Sequence, residues 1–305
     1  MELACTTLTQ IAVMFVIITV GILCSRFRVI DYEKSRTLSA VILKVVTPAL
    51  IISSFQTEFT AEAVRGLYGS LILGAVSFAI SILVPSWIIK KSREYDYVVA
   101  RFSCMYPNCG FIGIPLAYGV FGQEGVFYIN AFAVIFNLLV YSHGVFIMSS
   151  SDYHFSWKRL VSPGIIGVIM GLFLFIMRWK LPYVVLRPME MLADMNTPLA
   201  MLVAGVSMAG TDLAGILKAP GVLRLSLYRL ILIPVLFILA SRFIPLPEMV
   251  RMTGVLAASC PAAAIGILFS LEYGRDEVYA SQLFAMTTIL SIVTVPLMVW
   301  LASWL

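Results

Sequence analysis

Tyr106-Pro107-Asn108-Cys109-Gly110-Phe111-Ile112-Gly113-Ile114-Pro115 is the stretch on which the fold turns. It sits inside an apolar segment running from about 97 to 121, yet it holds two prolines and two glycines. Proline lacks a backbone donor and clashes with the preceding turn. Glycine leaves helical geometry at little cost. A helix starting at 97 is therefore expected to break near Asn108. At membrane depth such a break survives only where protein buries it or where it lines a wet cavity.

The composition places that depth in a bilayer. The chain has 305 residues, of which 61% are hydrophobic and 12% charged, and a mean hydropathy of +0.98. Soluble domains carry roughly twice that charged fraction. A soluble enzyme, a disordered chain and a fibrous one are excluded. The net charge of +5 does not point to nucleic acid, because the basic residues flank apolar stretches and form no cluster interleaved with aromatics. Cys5, Cys24, Cys104, Cys109 and Cys260 are odd in number and mostly lie in or beside apolar runs, so they read as small buried residues, not a disulfide framework. The first run is read as a retained helix, since Glu2 is the only charge before it and Arg26 and Arg28 follow it.

A spanning helix needs about 20 apolar residues. Ten stretches meet or approach that, near 8–25, 37–56, 65–89, 97–121, 125–148, 161–178, 187–209, 220–242, 248–272 and 278–303. Connections are short, and the longest polar one runs from Ser149 to Arg159. With the N-terminus outside, the inner loops of the first half carry Arg26, Arg28, Lys34, Arg36, Lys90, Lys91, Arg93 and Arg101, against Arg65 outside. Lys158, Arg159, Lys218, Arg224 and Arg275 continue the inner set, while the second half alone is nearly balanced. Both termini are therefore expected outside.

A weak repeat links the halves. Thr47-Pro48-Ala49-Leu50 resembles Thr197-Pro198-Leu199-Ala200, Arg101 matches Arg251, and Phe132-Ala133 matches Phe284-Ala285, at offsets of about 150 residues. A unit of five helices crosses an odd number of times, so its copy is inverted. The expected fold is an all-α membrane protein with ten transmembrane helices in two inverted five-helix repeats, 1–150 and 151–305. Inverted repeats mark secondary transporters.

Ser259-Cys260-Pro261-Ala262-Ala263-Ala264-Ile265-Gly266 breaks the ninth stretch at the place matching the fourth. Paired broken helices point to a transporter's binding site. Half-helix N-termini there offer free N–H groups and partial positive charge, which suit an anion. Pro107, Asn108, Cys109, Gly110, Ser259, Pro261 and Ala262 are the candidate substrate-binding residues at the breaks. Asn137, near the centre of the fifth stretch, serves either as interhelical glue or as a substrate ligand. Ser53, like Ser54, either back-bonds to its own helix or faces substrate. His143 reads as a satisfied packing residue, and Thr287 and Thr288 as packing hydroxyls. Asp194 is the only carboxylate well inside a span, with Glu190 a turn earlier. Lys44 and Arg229 are expected to snorkel to the inner surface. Buried carboxylates to hold a cation are absent from the breaks, which favours an anionic or neutral substrate. The sequence has no HExxH, GxSxG or P-loop motif, and its histidines are His143 and His154. No enzyme activity, cofactor or metal is expected.

Asn108-Cys109-Gly110-Phe111-Ile112-Gly113-Ile114-Pro115-Leu116-Ala117 followed by Phe121-Gly122-Gln123-Glu124-Gly125 resembles the signature of the auxin efflux carrier family. Asn137-Leu138-Leu139, Pro48-Ala49-Leu50, Arg229 to Pro234 and the run from Cys260 to Pro296-Leu297 are similar to further family segments. The resemblance implies ten helices in two inverted repeats, with helices four and nine crossing at their broken centres. It implies a scaffold of helices one, two, six and seven, a moving unit of helices three to five and eight to ten, and a homodimer in the plasma membrane. It implies organic-anion substrates, indole acetate in plant carriers and malate or other carboxylates in bacterial permeases. The short central loop looks like a bacterial member. One departure stands out: many relatives carry Asn shortly after the ninth-helix proline, where this chain has Ala262-Ala263-Ala264-Ile265. The rival expectations are a sodium-coupled anion symporter resembling the bile-acid transporter family, and an anion channel.

Overall fold

The computed structural model describes residues 2–149, 163–211, 213–216 and 218–304. Lys158, Arg159, His154 and most of the central polar stretch lie outside the described residues, as do positions 161 and 162. The elements that position the site are α1 (Glu2–Arg26), α2 (Tyr32–Val41), α3 (Thr47–Ser54), α4 (Ala61–Ile88), α5 (Tyr97–Met105), α6 (Ile114–Leu139), α7 (Val145–Met148) and α8 (Pro163–Ile176). They continue with α9 (Tyr183–Asp194), α10 (Asn196–Ala209), α11 (Val222–Leu227), α12 (Ile233–Ser241), α13 (Glu248–Ser259), α14 (Ile265–Glu272) and α15 (Glu277–Trp304). Short π-helical turns join α2 to α3, α6 to α7 and α11 to α12. There is no strand among the described residues.

Among the described residues, seven helical segments are long and apolar enough to cross a membrane, and Pro163–Ile176 is a shorter apolar helix. Large apolar side chains point outward along them, Trp87 at 82% exposure and Val184 at 80% among them. Water would oppose such a surface; lipid does not. Loop-facing ends are capped by side chains. Thr60 accepts from the Ala63 N–H (3.1 Å), and Asp96 accepts from Val98 N–H (2.9 Å) and Val99 N–H (3.3 Å). Inside the spans, hydroxyls turn back onto their own helices, as Thr7 does to Leu3 O and Ser226 to Val222 O.

The segment Cys109–Met148 is 40 residues long, about twice what a bilayer needs. It does not run straight. Gly122 has φ 64 and ψ −150, a conformation that glycine enters without a Cβ clash. A Cβ on Gly125 would lie 2.6 Å from Ala117 O, whereas residues eight apart in a straight helix are separated by about 12 Å. The chain reverses here, between the stretches expected at 97–121 and 125–148.

Helix packing sorts into two groups. In one, α1 lies along α10, and α3 packs on α8 and α9. Backbones approach closely: a Cβ on Gly205 would lie 2.1 Å from Ile18 O, and one on Gly167 would lie 3.1 Å from Pro48 Cα. Thr47 Oγ1 donates to Asn196 Oδ1 at 3.2 Å, joining the two Thr-Pro segments. In the other group α4, α6, α12, α13 and α15 pack together, with α5, α11 and α14 among them. The groups meet where α1 touches α6 and α15 and where α3 touches α6.

Candidate functional site

The fourth-span break follows from its sequence. α5 ends at Met105, Tyr106 is extended, and helix resumes as a π-helical turn at Cys109–Gly113 that runs into α6. The ninth-span break matches it. α13 ends at Ser259, Cys260 is extended, and α14 starts at Ile265. Both breaks leave backbone polar groups deep inside protein, where each must find a partner.

They find one another. Pro107 and Ala262 form an isolated antiparallel bridge. The Asn108 N–H donates to Pro261 O at 2.7 Å, and the Ala263 N–H donates to Tyr106 O at 2.9 Å. Exchanging Tyr106 with Pro261 and Asn108 with Ala263 maps one bond onto the other. The two broken helices therefore cross at their breaks.

Three contacts hold the crossing. Asn108 O accepts from the N–H groups of Ile112 and Gly113, each at 3.1 Å, and so restarts the helix. The Ala262 N–H donates to Thr287 Oγ1 on α15 at 3.1 Å, and that hydroxyl donates to Leu283 O at 2.7 Å. Thr287 is thus more than the packing hydroxyl expected from the sequence, while Thr288 does turn back to Phe284 O. The third contact is Arg229, in the π-helical turn between α11 and α12. It does not snorkel, as its place in an apolar span suggested; it is 1% exposed. Its guanidinium donates to Cys104 O (3.2 Å), Cys260 O (3.1 Å) and Ala258 O. These carbonyls belong to the ends of α5 and α13, which lack intrahelical partners and draw a cation. The alternative to snorkelling was invisible in the sequence because its partners lie 29 to 125 residues away.

Of the sequence-read candidates, Pro107, Asn108, Cys109, Pro261 and Ala262 come together at the crossing. Asn108 is 4% exposed, and its Nδ2 has no partner; Ser259 is fully buried, and its Oγ has none. Unpartnered buried donors are costly, by about 1–3 kcal/mol each, and call for an explanation such as strain, a functional role or a bound water or ion; Ser70, Ser149 and Thr211 carry others elsewhere in the chain. A Cβ on Gly110 would meet nothing within 4 Å, so open space lies beside the restarting helix. Cys109 and Cys260 are buried free thiols flanking Gly113.

Ser53 and Asn137 are held elsewhere. Ser53 Oγ donates to Leu50 O (2.9 Å) and Asn137 Nδ2 to Ala133 O (2.8 Å), each on its own helix. The residues that join these two spans are Asn130 and Ser54, with Nδ2 to Oγ at 3.0 Å. Asn130 is fully buried, and its Oδ1 has no partner. Tyr118 O–H donates to Asp194 Oδ1 at 3.0 Å, a second bond between the two packing groups. His143 Nδ1 lies 2.8 Å from the Tyr106 hydroxyl, which also donates to Leu139 O at 3.1 Å. His143 is a satisfied packing residue.

One turn beyond Asn108, Ile112 and Leu116 line a cavity of about 10 Å³ with Ile11, Met14, Met201 and Ser291. That is room for about one water, against several hundred Å³ for ordinary ligand pockets.

A model of the membrane transport protein family matches residues 6–156 and 152–299. The chain is 23% identical over 308 residues to an uncharacterised transporter of Methanocaldococcus jannaschii, covering 95% of this chain and 97% of that protein. It is 26% identical over 305 residues to an uncharacterised transporter of Methanothermobacter thermautotrophicus, covering 92% and 94%. Both of these relatives are archaeal.

Proposed function

This chain belongs to the membrane transport protein family, the auxin efflux carrier family that its motifs resemble, and we propose that it carries a small organic anion, a carboxylate, across the plasma membrane by alternating access. The observation that carries this is the crossing: two broken helices bonded break to break, with Asn108 Nδ2 and Ser259 Oγ buried and unpartnered beside them. Asn108 hydrogen-bonds the carboxylate. Pro107, Gly110 and Pro261 open the helices, and the N–H groups of Cys109, Gly110 and Phe111, ahead of the first bonded turn, face the anion. Ala262 and its neighbours contribute backbone only, which favours a substrate with one polar end. Ser53 and Asn137 reach substrate only if they release their own helices.

Ten crossings in two inverted halves, 1–150 and 151–305, fit the helices. In support, Gly122 and Gly274 end the two resumed helices with φ 64 and 62. Arg28 and Arg178 end α1 and α8 with φ 59 and 55, each inside the same pair of capping bonds. The α1–α3 and α8–α10 group is the scaffold, and the other group moves as an elevator. The small cavity between them supports motion as the route to the site. Both termini face outside, and the scaffold is the surface for a homodimer.

The test is counterflow in liposomes. Vesicles holding unlabelled malate or, separately, indole acetate receive a trace of the labelled compound outside. Saturable accumulation against either is expected. Linear, unsaturable flux, or none with folded protein, overturns the carrier assignment.

A further inference from the structure

Arg229 hydrogen-bonds both broken helices, through Cys104 O of the fourth span and Ala258 O and Cys260 O of the ninth. The groups bonded to it are all carbonyls. The ion pairs recorded among the described residues, Lys34–Asp31 and Arg187–Glu190, do not involve it. A charge this deep, without a carboxylate, is expensive and calls for a function.

The crossing has four helix ends. α5 and α13 present their C-termini, each with a partial charge of about −0.5, and the resumed helices present N-termini of about +0.5. Without Arg229 these sum to roughly zero. The guanidinium occupies the negative ends and stays protonated. It leaves the crossing with a net charge of about +1, exposed through the N-terminal ends on the side of Asn108. We infer that Arg229 is the positioning residue that both clamps the broken helices and sets the site's preference for an anion over its uncharged analogue. It acts through the helix ends and does not touch the substrate. This inference rests on the carboxylate-carrier reading above.

Separating clamp from charge takes two variants. Arg229→Lys keeps the charge and loses the three-donor fork; Arg229→Gln keeps donors and loses the charge. Counterflow KM and Vmax are measured for the carboxylate that wild type transports, with its neutral amide as competitor. Arg229→Lys is expected to hold KM within about threefold while Vmax falls. Arg229→Gln is expected to raise KM about tenfold or more, the scale of one unit charge acting across a protein interior, and to raise the amide's potency relative to the carboxylate. A residue that is only a clamp lowers Vmax in both variants and leaves KM and the amide ratio unchanged; that result overturns the inference. If Arg229→Gln fails to assemble, as judged by size-exclusion chromatography, the charge is removed from Arg229→Lys by raising the pH, since a buried lysine gives up its proton well below its ordinary range: a ratio that shifts toward the amide as pH rises, in Arg229→Lys and not in wild type, supports the charge assignment, and a ratio without that pH dependence overturns it. Absence of carboxylate counterflow in wild type instead defeats the carrier reading, before any variant is compared.

Discussion

At the fourth-span break the bridging residue is Pro107, which has no N–H; at the ninth it is Ala262, whose N–H bonds to Thr287. Proline solves the orphan-donor problem by removing the donor, and Thr287 solves it by supplying an acceptor. The next residue differs more. Asn108 brings an amide with an unpartnered Nδ2, where Ala263 brings a methyl group. Matching backbone geometry therefore carries unequal chemistry. On the proposed reading, the fourth-span break recognises the substrate and the ninth completes the frame.

Substitutions can break that contrast or sharpen it. The largest effect belongs to Asn108→Ala. Loss of a hydrogen bond to a charged ligand is worth about 1.5–3 kcal/mol, so counterflow is expected to fall between tenfold and a hundredfold with the fold intact. Unchanged transport erases the asymmetry between the breaks. Thr287→Val comes next. It strands the Ala262 N–H and is expected to cost about 1–3 kcal/mol of stability, read as a lower melting temperature in detergent. A neutral Thr287→Val means that the ninth break does not depend on a side-chain acceptor.

Gly122→Ala and Gly274→Ala test the shared backbone. Both glycines have positive φ, and an added Cβ meets nothing within 4 Å at either. Only conformational strain remains, about 1–3 kcal/mol, and Gly122→Ala is expected to lose at least as much as Gly274→Ala, because its ψ of −150 lies in a region essentially confined to glycine. A smaller fall in melting temperature for Gly122→Ala than for Gly274→Ala contradicts that reading of the turn. The smallest effect is at Ser259. Its hydroxyl is buried without a partner, so Ser259→Ala is expected to be neutral or to stabilise by up to about 1 kcal/mol, while slowing carboxylate counterflow. Destabilisation by this change means that the hydroxyl already has a structural partner.

Much of the frame was legible because its signals are local. Pro107, Gly110, Pro261 and the run lengths mark breaks and spans without reference to distant residues. Gly122, within the quoted motif, marks the turn inside a helix of 40 residues. The polar contacts were harder to read. Ser53 and Ser54 are neighbours about 100° apart on one helix, and hydropathy does not say which faces the fifth span; the structure selects Ser54. Asn130 and Asn137 are two turns apart on one face, so pattern alone cannot rank them by partner. Arg229 and Thr287 act across spans, through partners that no local pattern names.

The central claim is that a carboxylate binds at the crossing, through Asn108. Its most direct measurement is the carboxylate-induced rise in melting temperature of purified protein, compared across wild type, Asn108→Ala, Ser53→Ala and Asn137→Ala. The expected result is a rise in wild type, Ser53→Ala and Asn137→Ala, and its loss in Asn108→Ala. A rise that survives Asn108→Ala, or that disappears with Ser53→Ala or Asn137→Ala instead, contradicts the account and moves the site away from the paired breaks.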